Sequence, residues 1–246
     1  MINVLKVLKL WISAIFAVIV LAGCTNGTTD TFETVIVPEM VWVPVGSFEI
    51  GKELNRTNNS GGDVANSHQV TFTSGFWLGK YQITQSQWKN VMGSLPRLLE
   101  SNAYGKGDDY PVYYVSWYEA IEFCNRQSIK EGFTPYYNIY KELADPNNTN
   151  SSDTLKWLVM PNTNANGYRL PTEAQWEYAA KGGNKGETFT YSGSDTPDAV
   201  AWYNRNVGSN AKEAGTKTPN GLGLYDMTGN VFEWCWDWYG DYTNET

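Results

Sequence analysis

The sequence predicts an α+β fold that is rich in loops and contains little regular secondary structure. Eleven Trp and 23 Gly occur among its 246 residues, which favours a core of large aromatic side chains joined by tight turns. Three Ser or Thr residues have the spacing of helix caps, and short apolar runs broken by Pro and Gly indicate strands. Because no long low-complexity linker divides the chain, we expect one globular domain.

The amino-terminal residues 1–23 are predicted to form a signal peptide. Lys6 and Lys9 precede an uncharged apolar run over residues 10–22, which is shorter than the roughly 20 residues that span a bilayer. The run ends in Leu-Ala-Gly immediately before Cys24, the pattern of a bacterial lipobox. We expect cleavage before Cys24 and attachment of lipid to its thiol; an uncleaved anchor helix is the alternative. Either outcome predicts a protein of the bacterial cell envelope, held on a membrane outside the cytoplasm.

The strands of the domain are expected near its amino end. Residues 24–38 are small and polar and form a tether, and the domain occupies residues 39–246. Residues 40–51 predict two short strands broken at Pro44 and Gly46, and Val70–Trp77 predicts another. Residues 52–67 are expected to form a polar loop, and residues 145–153 a turn-forming insertion that has nothing apolar to bury.

Three helices are predicted from capping boxes, in which a Ser or Thr side chain and a Glu or Gln three residues later bond each other's amides. The boxes are Thr84-x-x-Gln87, Ser116-x-x-Glu119 and Thr172-x-x-Gln175. We expect the first helix to end at Gly93 and the third at Gly182. Each helix carries a Trp in its first turns, and these are expected to anchor the core: Trp88, Trp117 and Trp176.

Charge and composition exclude several classes of function. Removing Lys6 and Lys9 with the signal peptide changes the formal charge from -8 to about -10, which does not suit nucleic acid. The single histidine, His68, gives little support to a His-rich zinc site or a catalytic triad. Apart from Cys24, only Cys124 and Cys235 carry thiols. They form either a disulfide bridge or two buried free thiols.

One segment, Gly223–Trp234, has the composition of a metal-binding turn. The chain folds tightly at Gly229 and Asn230, so the carboxylates of Asp226 and Glu233 can converge on carbonyl oxygens exposed in the turn. Calcium prefers oxygen ligands of this irregular kind. The alternative is a self-sufficient turn without metal, in which Asn230 bonds the backbone and Glu233 meets a nearby Arg or amide.

Five segments together resemble the formylglycine-generating enzyme family, also called the sulfatase-modifying-factor domain. The similar segments run in family order over about residues 40–238: 43–51, 81–85, 111–117, 167–180 and 223–234. The resemblance implies a C-type-lectin-like α+β fold that calcium stabilises. It places one calcium site on the side chains of Asp226 and Glu233 and on the carbonyl groups of Gly229 and Val231.

The resemblance does not carry the family's catalytic residues onto this sequence. Active members oxidise a sulfatase cysteine to formylglycine with a cysteine pair that binds copper, a soft metal that thiolates suit. In the family that pair follows the segment that ends here at Trp234. Only 12 residues (246 minus 234) follow it, and the cysteine segment is not among them. Cys124 and Cys235 match neither catalytic position, so the domain is expected to be C-terminally incomplete, and copper is expected only if a longer protein supplies the pair.

Three functions follow from these observations. The first is a non-catalytic binding scaffold on the cell surface, which presents loops to a protein or glycan ligand outside the cytoplasm. The alternative is a formylglycine-generating oxidase that acts on sulfatase cysteines, which requires the missing cysteine segment. A third is an accessory lipoprotein that stabilises a complex of the cell envelope.

Overall fold

The computed structural model describes residues 36–51, 67–101 and 104–240. The predicted signal peptide, Cys24 and the tether up to residue 35 lie outside the described residues, as do residues 52–66 of the predicted polar loop. The described part combines short helices with two-stranded sheets and long irregular segments, which confirms the predicted loop-rich α+β class. None of its helices is long and apolar enough to cross a membrane.

The amino-terminal strands form two separate antiparallel sheets. Strand β1 pairs with β4, and β2 pairs with β3. The strands are β1 (Met40–Val43), β2 (Gly46–Ile50), β3 (His68–Phe72) and β4 (Phe76–Gly79). The predicted break between the first two is confirmed. The single strand predicted over Val70–Trp77 is wrong, because the chain bends at Gly75 and crosses from one sheet to the other. A side chain at Gly75 would lie 2.3 Å from the Trp42 ring, so the bend requires glycine.

The helices begin where their capping boxes predict. The helices are α1 (Gln85–Met92), α2 (Arg97–Ser101), α3 (Trp117–Lys130), α4 (Glu173–Ala180) and α5 (Pro197–Val200). Both halves of the box are formed at Thr84, Ser116 and Thr172. Helix α1 ends at Gly93 as predicted. Helix α4 ends at Ala180 and is capped by Lys181, so the predicted end at Gly182 is wrong by one position.

A hairpin of β5 (Tyr137–Ala144) and β6 (Trp157–Pro161) encloses the predicted turn-forming insertion. Asn148, in the insertion, is buried and donates hydrogen bonds to the Tyr118 hydroxyl (2.9 Å) and to Asp153 (2.8 Å). The insertion therefore packs through a buried amide, which its lack of apolar residues did not indicate.

Aromatic side chains form part of the core, but aliphatic residues such as Leu99, Ile121 and Leu224 are fully buried beside them, so the predicted dominance of aromatic residues is wrong. Trp88 of α1 is buried and stacks on Phe123 of α3 with 5.2 Å between ring centroids. Trp236 packs against both Trp117 (5.3 Å) and Tyr137 (5.1 Å). Trp117 and Trp176 are half-buried and pack at the margins of two buried clusters. These contacts join the carboxyl-terminal part of the described chain to the helices.

Candidate functional site

The segment Gly223–Trp234 folds into a turn that neighbouring chain segments hold in place. Asp226, Gly229 and Asn230 all have positive φ angles, of 55°, 95° and 63°, which non-glycine residues rarely adopt. A side chain at Gly229 would lie 2.3 Å from the carbonyl oxygen of Trp202. The side-chain oxygen of Asn230 accepts a hydrogen bond from the Lys212 amide at 3.0 Å, and its side-chain nitrogen donates one to the Lys212 carbonyl group at 3.1 Å. Asn230 therefore bonds backbone, but of a distant segment rather than of its own turn.

Three of the four predicted ligand groups converge on one atom, the side-chain nitrogen of Gln82. This nitrogen lies 3.3 Å from the carbonyl oxygen of Gly229, 3.3 Å from that of Val231 and 2.8 Å from Glu233 Oε1. An amide nitrogen carries two hydrogens, so it cannot satisfy three acceptors fully. The other Glu233 oxygen accepts a hydrogen bond from the indole nitrogen of Trp176 at 3.1 Å.

Asp226, the fourth predicted ligand, is buried and only partly satisfied. Its Oδ2 accepts a hydrogen bond from the Gly215 amide at 2.6 Å, whereas its Oδ1 has no partner among the described residues. The Oε1 atom of Gln82 is also buried without a partner there. Burial raises the pKa of Asp226, and the bond from Gly215 opposes that shift.

The two carboxylates act on one another. Burial of the Glu233 carboxylate raises its pKa most, hydrogen bonds from Gln82 and Trp176 lower it, and the charge of Asp226 raises it further. Glu233 as a whole residue belongs to the exposed class, but its carboxylate contacts the buried Gln82. A cation would stabilise a site in which the buried Asp226 carboxylate repels the carboxylate of Glu233.

The donor set fits calcium. Two carboxylates and two carbonyl groups are hard oxygen donors, and calcium accepts such ligands in irregular geometry. In the described residues no three His, Cys, Asp or Glu side chains are grouped closely enough to hold a metal, so a calcium ion here would also need the carbonyl groups of Gly229 and Val231. Calcium binding at this position stays a prediction. Sequence reasoning missed Gln82, because a buried amide on an irregular segment has no periodic signal.

The two cysteines of the domain do not suit a copper site. Both are free thiols, with Cys124 buried in α3 and Cys235 partly buried. Burial raises the pKa of the Cys124 thiol to about 12. Burial together with the nearby carboxylates of Asp237 and Glu173 raises the pKa of Cys235 to about 12. Copper is held by thiolates, which these two residues do not readily form. The disulfide bridge, one of the two alternatives for this pair, is not formed, and both cysteines are free thiols.

A large open cavity adjoins the predicted cation site. Its volume is about 870 Å³, and Gln82, Val231 and Glu233 form part of its wall. Most of the other lining side chains are apolar or aromatic, and among the described residues the only charged ones are Arg169 and Glu233. Four aromatic residues of the lining are exposed to solvent and form the rim of the cavity: Tyr104, Tyr114, Phe232 and Trp234. Nothing in the sequence indicated this cavity, because its walls come from segments more than 100 residues apart.

The fold and this turn define a family. The profile of the sulfatase-modifying factor enzyme 1-like domain matches residues 25–246, and the chain belongs to that family. This confirms the resemblance on which the predicted fold and ligand set rest.

The relatives of this chain include a protein named as a chaperone and a protein named as an enzyme. The chain is 43% identical to the chaperone protein LppX of Paenibacillus barcinonensis over 242 residues, which cover 92% of this chain and 80% of the relative. It is 26% identical to the formylglycine-generating enzyme of mouse, over 88% of this chain and 62% of the enzyme. Among solved structures, variable protein 1 of Treponema denticola superposes with a TM-score of 0.65 at 34% identity, over 84% of this chain and 75% of that protein.

Proposed function

We propose that this protein is a lipid-anchored, exported binding protein that holds apolar segments of unfolded polypeptides in its cavity, as a chaperone does. The observation that carries the proposal is the cavity of about 870 Å³ with few charges and an exposed aromatic rim. Exposed apolar surface of this extent on a folded domain usually marks a binding site. The similarity to a protein named as a chaperone, over 92% of the chain, supports the same function.

The expected affinity suits reversible holding. Burial of one Leu or Phe side chain contributes about 1.5–3 kcal/mol, so two such side chains contribute about 3–6 kcal/mol before the cost of ordering the client. Even without that cost the range corresponds to dissociation constants no lower than roughly tens of micromolar, so we expect weak binding. A client would therefore bind while it exposes apolar residues and leave once it buries them.

The predicted cation would strengthen the rim of the cavity. Val231 and Glu233 flank Phe232, and the next residue is Trp234; Phe232 and Trp234 are two of the four rim aromatics. A calcium ion held by Asp226, Gly229, Val231 and Glu233 would supply the positive charge that their oxygens lack. We therefore expect calcium to fix the segment that presents these two aromatic side chains.

The lipid anchor is proposed from the sequence of residues 1–24. Acylation of Cys24 would keep the domain at the membrane surface, where exported polypeptides emerge unfolded. Replacing Cys24 with serine should release the protein from the membrane fraction and abolish its labelling with a fatty acid. Continued membrane retention of Cys24→Ser would contradict the anchor without bearing on the cavity.

The cavity is tested with a permanently unfolded client, reduced and carboxymethylated α-lactalbumin. We expect Tyr104→Ser and Phe232→Ser each to weaken its binding to the full chain about tenfold, since an aromatic contact of about 1.4 kcal/mol corresponds to that factor. Both side chains are exposed, so their loss should leave the thermal unfolding temperature unchanged.

Matched controls lie outside the cavity lining. Tyr140 and Phe189 are also exposed aromatic residues, and Tyr140→Ser and Phe189→Ser should bind the client as the unmodified protein does. Equal binding by all four variants, or no binding by the unmodified protein, would refute the proposal. A formylglycine assay on a sulfatase peptide, run with the same protein, tests the oxidase alternative directly.

A further inference from the structure

Asn-Gly dipeptides occur at two places in the described part of the chain, Asn166-Gly167 and Asn220-Gly221. A third, Asn26-Gly27, lies outside the described residues. An asparagine can lose ammonia when the backbone nitrogen of the next residue attacks its side-chain carbonyl carbon, and glycine hinders that attack least because it has no side chain. The two described dipeptides differ in whether the fold permits the attack.

The attacking nitrogen and the leaving amide are both unhindered at Asn166-Gly167. The Gly167 amide donates no hydrogen bond to a described residue, so its nitrogen can turn toward the Asn166 side chain. Asn166 is exposed, and its side-chain nitrogen has no hydrogen-bond partner among the described residues. Both residues lie outside the cavity lining.

The carbonyl group of the Asn166 side chain is already polarised. Its Oδ1 accepts a hydrogen bond from the Thr134 amide at 2.9 Å. Attack on the adjoining carbon moves negative charge onto this oxygen, and a backbone N–H directed at such an oxygen stabilises the transition state. The Thr134 amide therefore favours the reaction.

Packing requires glycine at position 167. A side chain there would lie 2.4 Å from the Thr134 carbonyl oxygen and 2.5 Å from Ser128 Oγ. The fold therefore keeps, next to an exposed asparagine, the residue that hinders the attack least.

The same dipeptide is protected at Asn220-Gly221. Asn220 is 4% exposed, and its side-chain nitrogen donates to the Ala179 carbonyl group at 2.8 Å and to the Ser192 hydroxyl at 3.1 Å. The Gly221 amide donates to the Glu187 carboxylate at 2.7 Å. Attack at this position would have to break these bonds in a buried site.

We propose that Asn166 is a site of spontaneous deamidation and isomerisation in the folded protein. This inference is independent of the proposed function. The Gly167 nitrogen bonds to Asn166 Cγ, the bond from Cγ to Nδ2 breaks, and ammonia leaves with the proton that the Gly167 nitrogen gives up. A water molecule then opens the resulting succinimide ring at either of its carbonyl carbons. One opening gives aspartate, and the other gives isoaspartate, in which the main chain runs through the former side chain.

Isoaspartate lengthens the main chain immediately before a tightly held segment. The Tyr168 amide donates to Ser128 Oγ of α3 at 2.8 Å, and the Leu170 amide donates to the Tyr137 hydroxyl of β5 at 2.9 Å. We therefore expect the isoaspartate form to unfold at a lower temperature. Aspartate can keep the bond from the Thr134 amide, and its charge strengthens such a bond, so Asn166→Asp should unfold like the unmodified protein.

The test follows each Asn-Gly peptide by mass spectrometry after the full chain has been incubated at pH 8, either folded or in urea. Deamidation raises the mass of a peptide by one unit. Because Asn220 must break two hydrogen bonds to react, we expect Asn166 to react about tenfold faster than Asn220 in the folded protein. In urea the two should react at equal rates. Asn220 in the same sample is thus the matched control.

Two further measurements identify the chemistry. The product at Asn166 should contain both aspartate and isoaspartate, whose peptides separate by chromatography. Asn166→Gln lengthens the side chain, so the five-membered ring cannot form and the mass gain at this position should disappear.

Three outcomes would overturn the inference. One is equal reaction of Asn166 and Asn220 in the folded protein, and another is reaction of Asn166 in urea alone. The third is a product that contains aspartate without isoaspartate, since direct attack by water on the side chain leaves the main chain unchanged.

Discussion

Replacement of Asp226 by Asn should stabilise the protein in the absence of calcium. In the presence of calcium, the same replacement should make it less stable than the unmodified protein. In the metal-free protein Asp226 is 3% exposed and one of its oxygens has no partner in the described part of the chain. An unpaired buried acceptor costs about 1–3 kcal/mol, and its charge also repels Glu233. Asn can keep the bond from Gly215, and although its amide nitrogen takes the place of the unpaired oxygen, the repulsion of Glu233 is removed. We therefore expect Asp226→Asn to raise the free energy of unfolding by about 1 kcal/mol without metal.

Calcium should favour the unmodified protein instead. At a free concentration 100 times the dissociation constant, one bound ion adds about 2.7 kcal/mol, and a domain of this size gains about 2–4 °C per kcal/mol. We expect the unfolding temperature to rise by about 5–10 °C in calcium and that of Asp226→Asn to remain unchanged.

Thermal unfolding followed by circular dichroism, in a chelator and then in calcium, measures both effects. The control variant Glu142→Gln removes an exposed carboxylate on β5, outside the predicted calcium site. It should respond to calcium as the unmodified protein does. A calcium shift of the same size in Asp226→Asn, or a loss of metal-free stability in that variant, would contradict the proposed site.

Two further predictions concern buried groups of the core. The hydroxyl of Tyr178 is buried without a partner in the described residues, so Tyr178→Phe should raise the free energy of unfolding in urea by about 1 kcal/mol; a clear loss would show that the hydroxyl is satisfied. Burial raises the pKa of the Cys124 thiol from 9.0 to about 12, so the folded protein should resist iodoacetamide at pH 8 by intact mass. Because a raised pKa stabilises only while the group stays protonated, stability should fall as pH rises from about 9 to about 12, and Cys124→Ala should reduce that fall.

Local signals in the sequence predicted the helices well and the sheets less well. A capping box needs only residues three positions apart, and all three boxes are formed as predicted. The bend at Gly75 depends on the ring of Trp42, which belongs to another strand, so the run Val70–Trp77 had no internal sign of ending. Strand pairing is a property of distant residues, which periodicity along one segment does not contain.

The residues of the candidate site that lie within the single segment Gly223–Trp234 were predictable from the sequence. Asp226, Gly229, Val231 and Glu233 were all named, and the structure brings Gly229, Val231 and Glu233 together around Gln82. Gln82 itself comes from a segment 147 residues earlier. The cavity was not predictable for the same reason, since it exists only where several such segments meet.

The long sequence separations of these contacts also govern when the domain can fold. The Gly51 amide bonds Glu177 across 126 residues, Trp117 bonds the Cys235 carbonyl group across 118, and Gln82 bonds Gly229 across 147. A polypeptide emerges from the ribosome amino end first, so the contacts of Trp117 and Gln82 with this part of the chain cannot form until the residues near 229–235 have followed. Contacts of this range slow folding. A protein proposed to hold unfolded chains therefore completes its own core only when nearly all of the described chain has been synthesised.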